Sequence, residues 1–320
     1  MMYNDLTLRD GCHAMSHKLS KEVLIKYCQF ATKVGIKVLE VGHGNGLGAS
    51  SQLIGESLLT DAEMIQTAKQ HLPNTLLSVH IIPGIATVQR DVIPAIDAGV
   101  DIFRIASHCT EASITKSHIE YICSRGKTVY GVLMMSAKCS AERLFEEAQK
   151  MKSYGAHGVI IMDSSGSFTP DDVTERITLL KELGVKIGFH AHNNLHLAVS
   201  NSVAAIKSGA DIIDVTLQGF GAGAGNTPLE IMNHLYPEDG LDNNEILKGI
   251  EQFDFKYPVS KPVNVLTSFY KMFSGFEKHI IKASEEYNIP ITTLTAKLDE
   301  HDLVAGQEDF IYIVANSLKS

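Results

Sequence analysis

The stretch KSGADIIDV, residues 207–215, joins the end of a helical pattern to a short apolar run through a single glycine. The same join recurs as KVGIKVLEV at residues 33–41 and as DAGVDIFRI at residues 97–105. A glycine just past the last helical residue ends a helix, and a short apolar run after it is typical of a buried strand. The recurring join therefore predicts a chain of alternating helices and parallel strands.

Units of this kind fill about the first 235 residues. The helical patterns begin at a serine or threonine cap and end at glycine, as in residues 20–35, 140–155 and 169–184. Eight evenly spaced units predict an α/β fold of the TIM (β/α)8 barrel type. A doubly wound open sheet is the alternative, which the lack of a dinucleotide fingerprint disfavours. The predicted strands cover residues 5–8, 37–41, 76–82, 102–105, 128–134, 158–162, 186–190 and 212–216.

The alternation stops after YPEDGLDNNE, residues 236–245, and the rest of the chain reads as helices with few strand signals. We therefore predict two parts, a catalytic barrel over residues 1–255 and a helical C-terminal appendage over residues 256–320.

The composition excludes several classes of protein. The formal net charge is −9 and no basic run occurs, so no nucleic-acid or anionic-membrane surface is expected. No apolar stretch is long enough to span a membrane, and the first residues, MMYNDLTLRDG, do not resemble a signal peptide. Five scattered cysteines without a C-x-x-C pair argue against disulfide scaffolds and zinc fingers, so we expect a reducing cytoplasm.

Two histidines lie one residue apart in GFHAHNN, residues 188–194. Side chains alternate along a strand, so His190 and His192 project from the same face. Asp10 stands at the end of the first predicted strand, and in a barrel such ends converge. Two histidines and one carboxylate suit a divalent cation with open positions for a bidentate substrate. The alternatives are hydrogen-bonded core histidines and, for Asp10, a turn or helix cap.

Arg9 and His13 flank this set in TLRDGCH, residues 7–13. Arg9 offers a fixed positive charge for a carboxylate or enolate oxygen, unless it is a structural group tied to Asp163 or Glu40. Those two carboxylates are candidates for orienting Arg9 or the histidines. His13 is a candidate general base, because an imidazole titrates near neutral pH, unless it is a solvated loop residue.

The segment GFGAGAGNTPLE, residues 219–230, is rich in glycine but lacks the G-K-[ST] of a phosphate-binding loop. We expect its glycines to allow close backbone approach near the site and Asn226 to cap the following helix.

Four motifs together resemble the 4-hydroxy-2-oxovalerate aldolases, metal-dependent barrels of the HMG-CoA-lyase-like group. They are TLRDGCHA (7–14), GFHAHNNLHLAVSNS (188–202), GAGAGNTPLE (221–230) and AGQEDFI (305–311). The resemblance implies a divalent metal held by Asp10, His190 and His192, with manganese the first choice and magnesium or cobalt the alternatives. It implies Arg9 steadying a pyruvate enolate and His13 acting as base. Further residues implied at the substrate are His80, Ile82, Asp163, Ser164 and Phe273.

The implied reaction is cleavage or formation of 4-hydroxy-2-oxo acids, giving pyruvate and an aldehyde through a metal-bound pyruvate enolate, in aromatic hydrocarbon catabolism. The resemblance also implies that the C-terminal helices dock an acylating acetaldehyde dehydrogenase and that the chain forms a homodimer. The alternatives are an acyl-CoA lyase or condensing enzyme of the same superfamily, a zinc hydrolase barrel and a non-catalytic regulatory barrel. In zinc hydrolase barrels the His-x-His pair usually lies on the first strand.

Three positions depart from the family pattern. Phe273 stands where the relatives carry a tyrosine, and Ala305 with Gly306 stands where they carry two glycines. HIIPG, residues 80–84, replaces their LLLPG and brings His80 to the aldehyde pocket region. We expect the pyruvate half of the site to be intact and the aldehyde half to be altered.

Overall fold

Eight parallel strands close into a barrel in the order of the chain, with β1 paired to β8. The structure is a computed structural model that describes residues 1–255 and 257–319. The closed barrel confirms the predicted fold class and excludes the open sheet. The strands are β1 Met2–Leu8, β2 Val38–Val41, β3 Leu76–Ile81, β4 Ile102–His108, β5 Thr128–Met134, β6 Gly158–Asp163, β7 Lys186–Ala191 and β8 Ile212–Val215.

Helices follow the strands around the outside of the barrel. The predicted caps are present, since the Ser20 side chain accepts the Val23 N–H and Gly35 ends the helix with φ +88°. Through β8 the helices are α1 Gly11–Ala14, α2 Lys21–Val34, α3 Asp61–His71, α4 Ile93–Asp97, α5 Lys116–Ser124, α6 Ala141–Ser153, α7 Pro170–Lys181 and α8 Ala198–Lys207. A short π-helical turn, Val88–Val92, leads into α4.

Both faces of the strands are buried because each face is covered. One apolar cluster lies inside the barrel and includes Ile102, Val132, Ile160 and Ile212. A larger cluster lies between the strands and the surrounding helices. Two further helices after β8, α9 Leu229–Leu235 and α10 Asn243–Gln252, complete this layer.

The remaining described residues form four helices with a hydrophobic core of their own, as the sequence predicts for the appendage. They are α11 Pro262–Phe269, α12 Glu277–Tyr287, α13 Ile291–Leu298 and α14 Glu308–Ser317. We call them the helical domain. The predicted start of this part at residue 256 lies outside the described residues. Within the described ranges, no helix is both long and apolar enough to cross a bilayer.

Candidate active site

The carboxyl ends of the strands surround a cavity. In a barrel these ends converge, so side chains that are distant in sequence meet there. Residues of the helical domain close one side of the cavity. The lining consists of Arg9, Asp10, His13, Gly44, Asn45, His80, Ile82, His108, Met134, Met135, Met162, Ser164, His192, Phe273, Val304 and Ala305.

Asp10, His190 and His192 meet, as strand parity predicts for the two histidines and the convergence of the strand ends predicts for Asp10. One ligand atom from each of the three side chains lies within 4.8 Å of the others, and all three residues are buried. The two Nε2 atoms of the histidines are 3.4 Å apart. The Nδ1 atom of His192 is buried without a hydrogen-bond partner. The three side chains thus form one compact donor set at the carboxyl ends of β1 and β7.

The protonation states of this set suit a metal ion. Burial lowers the pKa of His192 to about 3, so its imidazole is neutral at pH 7. Burial opposes ionisation of Asp10, but the nearby positive charge, above all that of Arg9, holds its pKa well below the usual value. Metals bind neutral imidazole and ionised carboxylate, so the residues present fit a divalent cation.

A series of buried ion pairs links Arg9 to His190 of the donor set. Arg9 Nε donates to Glu40 Oε1 at 2.7 Å, and Arg104 NH1 donates to Glu40 Oε2 at 3.2 Å. Arg104 NH2 then donates to Asp214 Oδ2 at 2.5 Å, and that oxygen lies 3.0 Å from His190 Nδ1. Asp214 therefore fixes the His190 tautomer with its proton on Nδ1, which leaves the Nε2 lone pair for a ligand.

The sequence prediction of Glu40 as a partner of Arg9 agrees with this contact, but Arg104 and Asp214 were missed. The sequence feature that points to these two residues is a charged residue inside an otherwise apolar strand, as in DIFRI (101–105) and DIIDV (211–215). Such a charge is costly to bury unless it is paired, so its presence indicates a buried partner. Both residues are fully buried.

Asn226 does not cap a helix, and that prediction is wrong. Helix α9 begins at Leu229, and the residue before it is Pro228. The Asn226 amide instead donates to Asp10 Oδ1 at 2.9 Å, and the Ala222 N–H donates to the same oxygen at 2.9 Å. A Cβ at Gly221 would lie 2.7 Å from Asp10 Oδ1, so glycine is needed for this close approach, as predicted for the loop.

Arg9 and His13 both face the cavity. Arg9 NH1 donates to Asp10 Oδ2 at 2.6 Å, whereas its NH2 is buried without a partner. Desolvation by the surrounding protein lowers the pKa of His13 to about 4, although the Asp10 charge raises it. His13 is thus a neutral base at pH 7, and Arg9 keeps one donor free for a ligand oxygen.

Four of the five residues implied at the substrate line the cavity: His80, Ile82, Ser164 and Phe273. The fifth, Asp163, is not among the lining residues. Its carboxylate accepts the backbone N–H groups of Ser167 and Phe168, each at 3.0 Å. Asp163 therefore holds the loop after β6, because these backbone donors occupy both of its oxygens.

His80 lies close to the buried charges of Arg9, Glu40 and Arg104. Burial lowers its pKa well below the usual value, and the charge of Arg9 lowers it further. Its Nδ1 atom has no hydrogen-bond partner. Phe273 belongs to the helical domain, and its ring meets the His13 and His192 rings edge-on at 6.1 and 6.4 Å between centroids.

Residues 1–250 match the family model described as HMGL-like, and residues 261–320 match the DmpG-like communication domain. The 4-hydroxy-2-oxovalerate aldolase of Pectobacterium atrosepticum is 47% identical over 98% of this chain and 94% of its own length. That of Spirochaeta aurantia is 45% identical over 100% of this chain and 96% of its own length. The carboxyl transferase domain of Rhizobium etli pyruvate carboxylase shares the fold, with a TM-score of 0.81 at 16% identity over 99% of this chain and 60% of that one. On the identity to these aldolases over nearly its whole length, the chain belongs to the 4-hydroxy-2-oxovalerate aldolase family.

Proposed function

We propose that this chain is a carbon–carbon lyase that cleaves and forms 4-hydroxy-2-oxo acids, with pyruvate and an aldehyde as the products of cleavage. One observation carries the proposal. A single cavity is lined by Asp10 and His192, which form a donor set with His190, by Arg9 with its free NH2 group and by a neutral His13. The relatives named for the same reaction on 4-hydroxy-2-oxovalerate support this substrate class.

The charges around the donor set suit a cation together with an anionic substrate. Asp10, Glu40 and Asp214 face the guanidinium groups of Arg9 and Arg104, which leaves one net negative charge. A divalent cation and a monoanionic 2-oxo acid together would neutralise it. Buried charge that is left unbalanced is costly, so this count favours a monoanion over an uncharged substrate.

A divalent cation held by Asp10, His190 and His192 would act as a Lewis acid toward the oxygens of a 2-oxo acid. Manganese is our first choice, with magnesium and cobalt as alternatives, because mixed imidazole and carboxylate ligands accept all three. Arg9 NH2 would donate to the substrate oxygen on which negative charge develops. A donor that is already fixed by Glu40 and Asp10 needs no reorganisation during the reaction.

His13 would take the proton from the C4 hydroxyl of the substrate. The C3–C4 bond then breaks, its electron pair moves toward the 2-oxo group, and C4 leaves as the carbonyl of the aldehyde. Protonation at C3 of the remaining enolate gives pyruvate. His13 is suited to the first step because its imidazole is neutral at pH 7 and lies on the cavity wall.

The aldehyde would lie in the part of the cavity that borders a second cavity. Ile82, Met134, Val304 and Ala305 line both this cavity and a second, neighbouring one. We propose that the aldehyde leaves through this boundary. Ala305 carries a methyl group there, where the family pattern has a glycine. The communication-domain match supports an acylating acetaldehyde dehydrogenase as the partner of the helical domain. The proposal also includes a homodimer and a cytoplasmic location.

The test begins with protein treated with a chelator and assayed for pyruvate release from 4-hydroxy-2-oxovalerate. Activity should be lost and should return with Mn²⁺. His192→Ala should stay inactive with added Mn²⁺, whereas His234→Ala, an exposed histidine on α9, should behave as the parent. Full activity of the chelated protein would contradict metal dependence. Turnover of an acyl-CoA substrate in place of the 2-oxo acid would favour the acyl-CoA alternative.

A further inference from the structure

Buried hydrogen-bonding side chains join the helical domain to the barrel beside the cavity. Each is 1% exposed or less, so water cannot replace a partner that is lost. We call these residues the seam: Asn194 of the barrel and Asn264, Thr267, Ser268 and Ser274 of the helical domain.

Ser274 meets three barrel loops at once. Its N–H donates to the Ser164 carbonyl at 2.8 Å, and its Oγ donates to Asn194 Oδ1 at 2.8 Å. It also packs against Gly223, where a Cβ would lie 2.5 Å from the Ser274 carbonyl oxygen. These contacts reach the loops that follow β6, β7 and β8.

Each of these loops holds a group of the site. Ser164 lines the cavity, and Asn194 follows His192 by two residues. Gly223 follows Ala222, whose N–H donates to Asp10 Oδ1. Asn194 is held from the other side as well, because its Nδ2 donates to the Asn264 carbonyl at 3.0 Å.

We infer that Ser274 is a positioning residue, through which the helical domain sets the placement of His192, Asp10 and the adjacent Phe273. Loss of its hydroxyl leaves Asn194 Oδ1 buried without a donor, and the β7 loop must shift to recover one. The inference rests on the proposed function for its catalytic consequence, whereas its effect on metal binding does not depend on that function.

The first test compares Ser274→Ala with Ser268→Ala. Ser268 is the matched control, because its Oγ also donates across the seam, but this hydrogen bond, to the Gly166 carbonyl at 3.3 Å, reaches one loop only. We expect Ser274→Ala to weaken Mn²⁺ binding, measured by titration calorimetry, by about tenfold. Its kcat for cleavage should fall by about tenfold to a hundredfold with little change in KM. Ser268→Ala should stay within about twofold of the parent in all three measurements.

A second variant, Gly223→Ala, changes the barrel side of the contact with Ser274. Gly223→Ala should reproduce both losses, and Gly126→Ala is its control, because both glycines have positive φ but a Cβ at Gly126 meets no atom within 4 Å. Equal Mn²⁺ affinity and kcat in Ser274→Ala and Ser268→Ala would overturn the inference, as would a parent-like Gly223→Ala. A parent without aldol cleavage would refute the proposed function, and the Mn²⁺ affinities would still decide the role of Ser274.

Discussion

Asp214 gives the sharpest test of the donor set, because it touches His190 without lining the cavity. Asp214→Asn keeps the size of the side chain and removes its charge. Every polar neighbour of this carboxylate is a donor: Arg104 NH2 at 2.5 Å, His190 Nδ1 at 3.0 Å and Asn4 Nδ2 at 3.2 Å. An amide offers one acceptor and one donor group, so its uncharged oxygen alone must accept from both Arg104 and His190.

The expected consequence is weaker metal binding. Loss of a carboxylate that orients a ligand histidine typically lowers metal affinity by about 10- to 100-fold. That range corresponds to about 1.4–2.8 kcal/mol of binding free energy. The physical reason is that His190 loses the negative charge of the partner that fixes its tautomer, while Arg104 keeps only Glu40 to balance its charge.

The assay is calorimetric titration of Mn²⁺ into the purified chain, with thermal unfolding measured in parallel. Asp211→Asn is the matched control. Asp211 lies just before β8 and pairs with Lys181 at 2.7 Å and the Ile187 N–H at 2.8 Å, away from the cavity lining. It should change stability and leave the Mn²⁺ affinity within about twofold of the parent. If the Asp214→Asn chain bound Mn²⁺ as tightly as the parent, Asp214 would not be needed to orient His190 for metal binding, and the reasoning would be refuted.

Three other substitutions test the cavity. His13→Ala should lower aldol cleavage by about 10²- to 10⁴-fold and leave pyruvate binding intact. Because the neutral base dominates above its pKa of about 4, the parent rate should not fall between pH 8 and 6. Arg9→Lys should be severely impaired in steady-state cleavage, since an ammonium cannot make the forked contacts to Glu40, Asp10 and substrate; full activity would mean that the arginine is structural. Phe273→Tyr should raise the proportion of one C4 stereoisomer in condensation with acetaldehyde, through one hydrogen bond worth about 0.5–1.5 kcal/mol. This prediction would be wrong if the parent already makes a single isomer and the tyrosine changes nothing.

The fold could be predicted because its signals are local. A glycine after a helix, a serine or threonine cap and an apolar run each act over a few residues, and their repetition along the chain specified all eight strands. The meeting of the three donor side chains was also predictable, because parity puts His190 and His192 on one face and barrel geometry brings Asp10 to them.

The supporting residues required the three-dimensional structure. Arg104 is 64 residues from Glu40 and 110 residues from Asp214, so no local pattern relates them. Asn226 was assigned to the nearest helix, although its partner, Asp10, is 216 residues away in sequence. Local reasoning favours a nearby role for a polar residue, and in a barrel the strand ends join positions from the whole chain.

The three departures from the family pattern do not lie in one part of the cavity. Phe273 faces His13 and His192, and Ala305 lies at the boundary with the second cavity, so both act where the aldehyde would be. His80, which the sequence places in the same half, lines the same cavity, where burial lowers its pKa and the charges of Arg9 and Arg104 lower it further. Its unpartnered Nδ1 and the unpartnered Arg9 NH2 belong to residues that line one cavity. A polar group near the residue that would bind the 2-oxo acid would affect the pyruvate half of the proposed reaction as well as the choice of aldehyde.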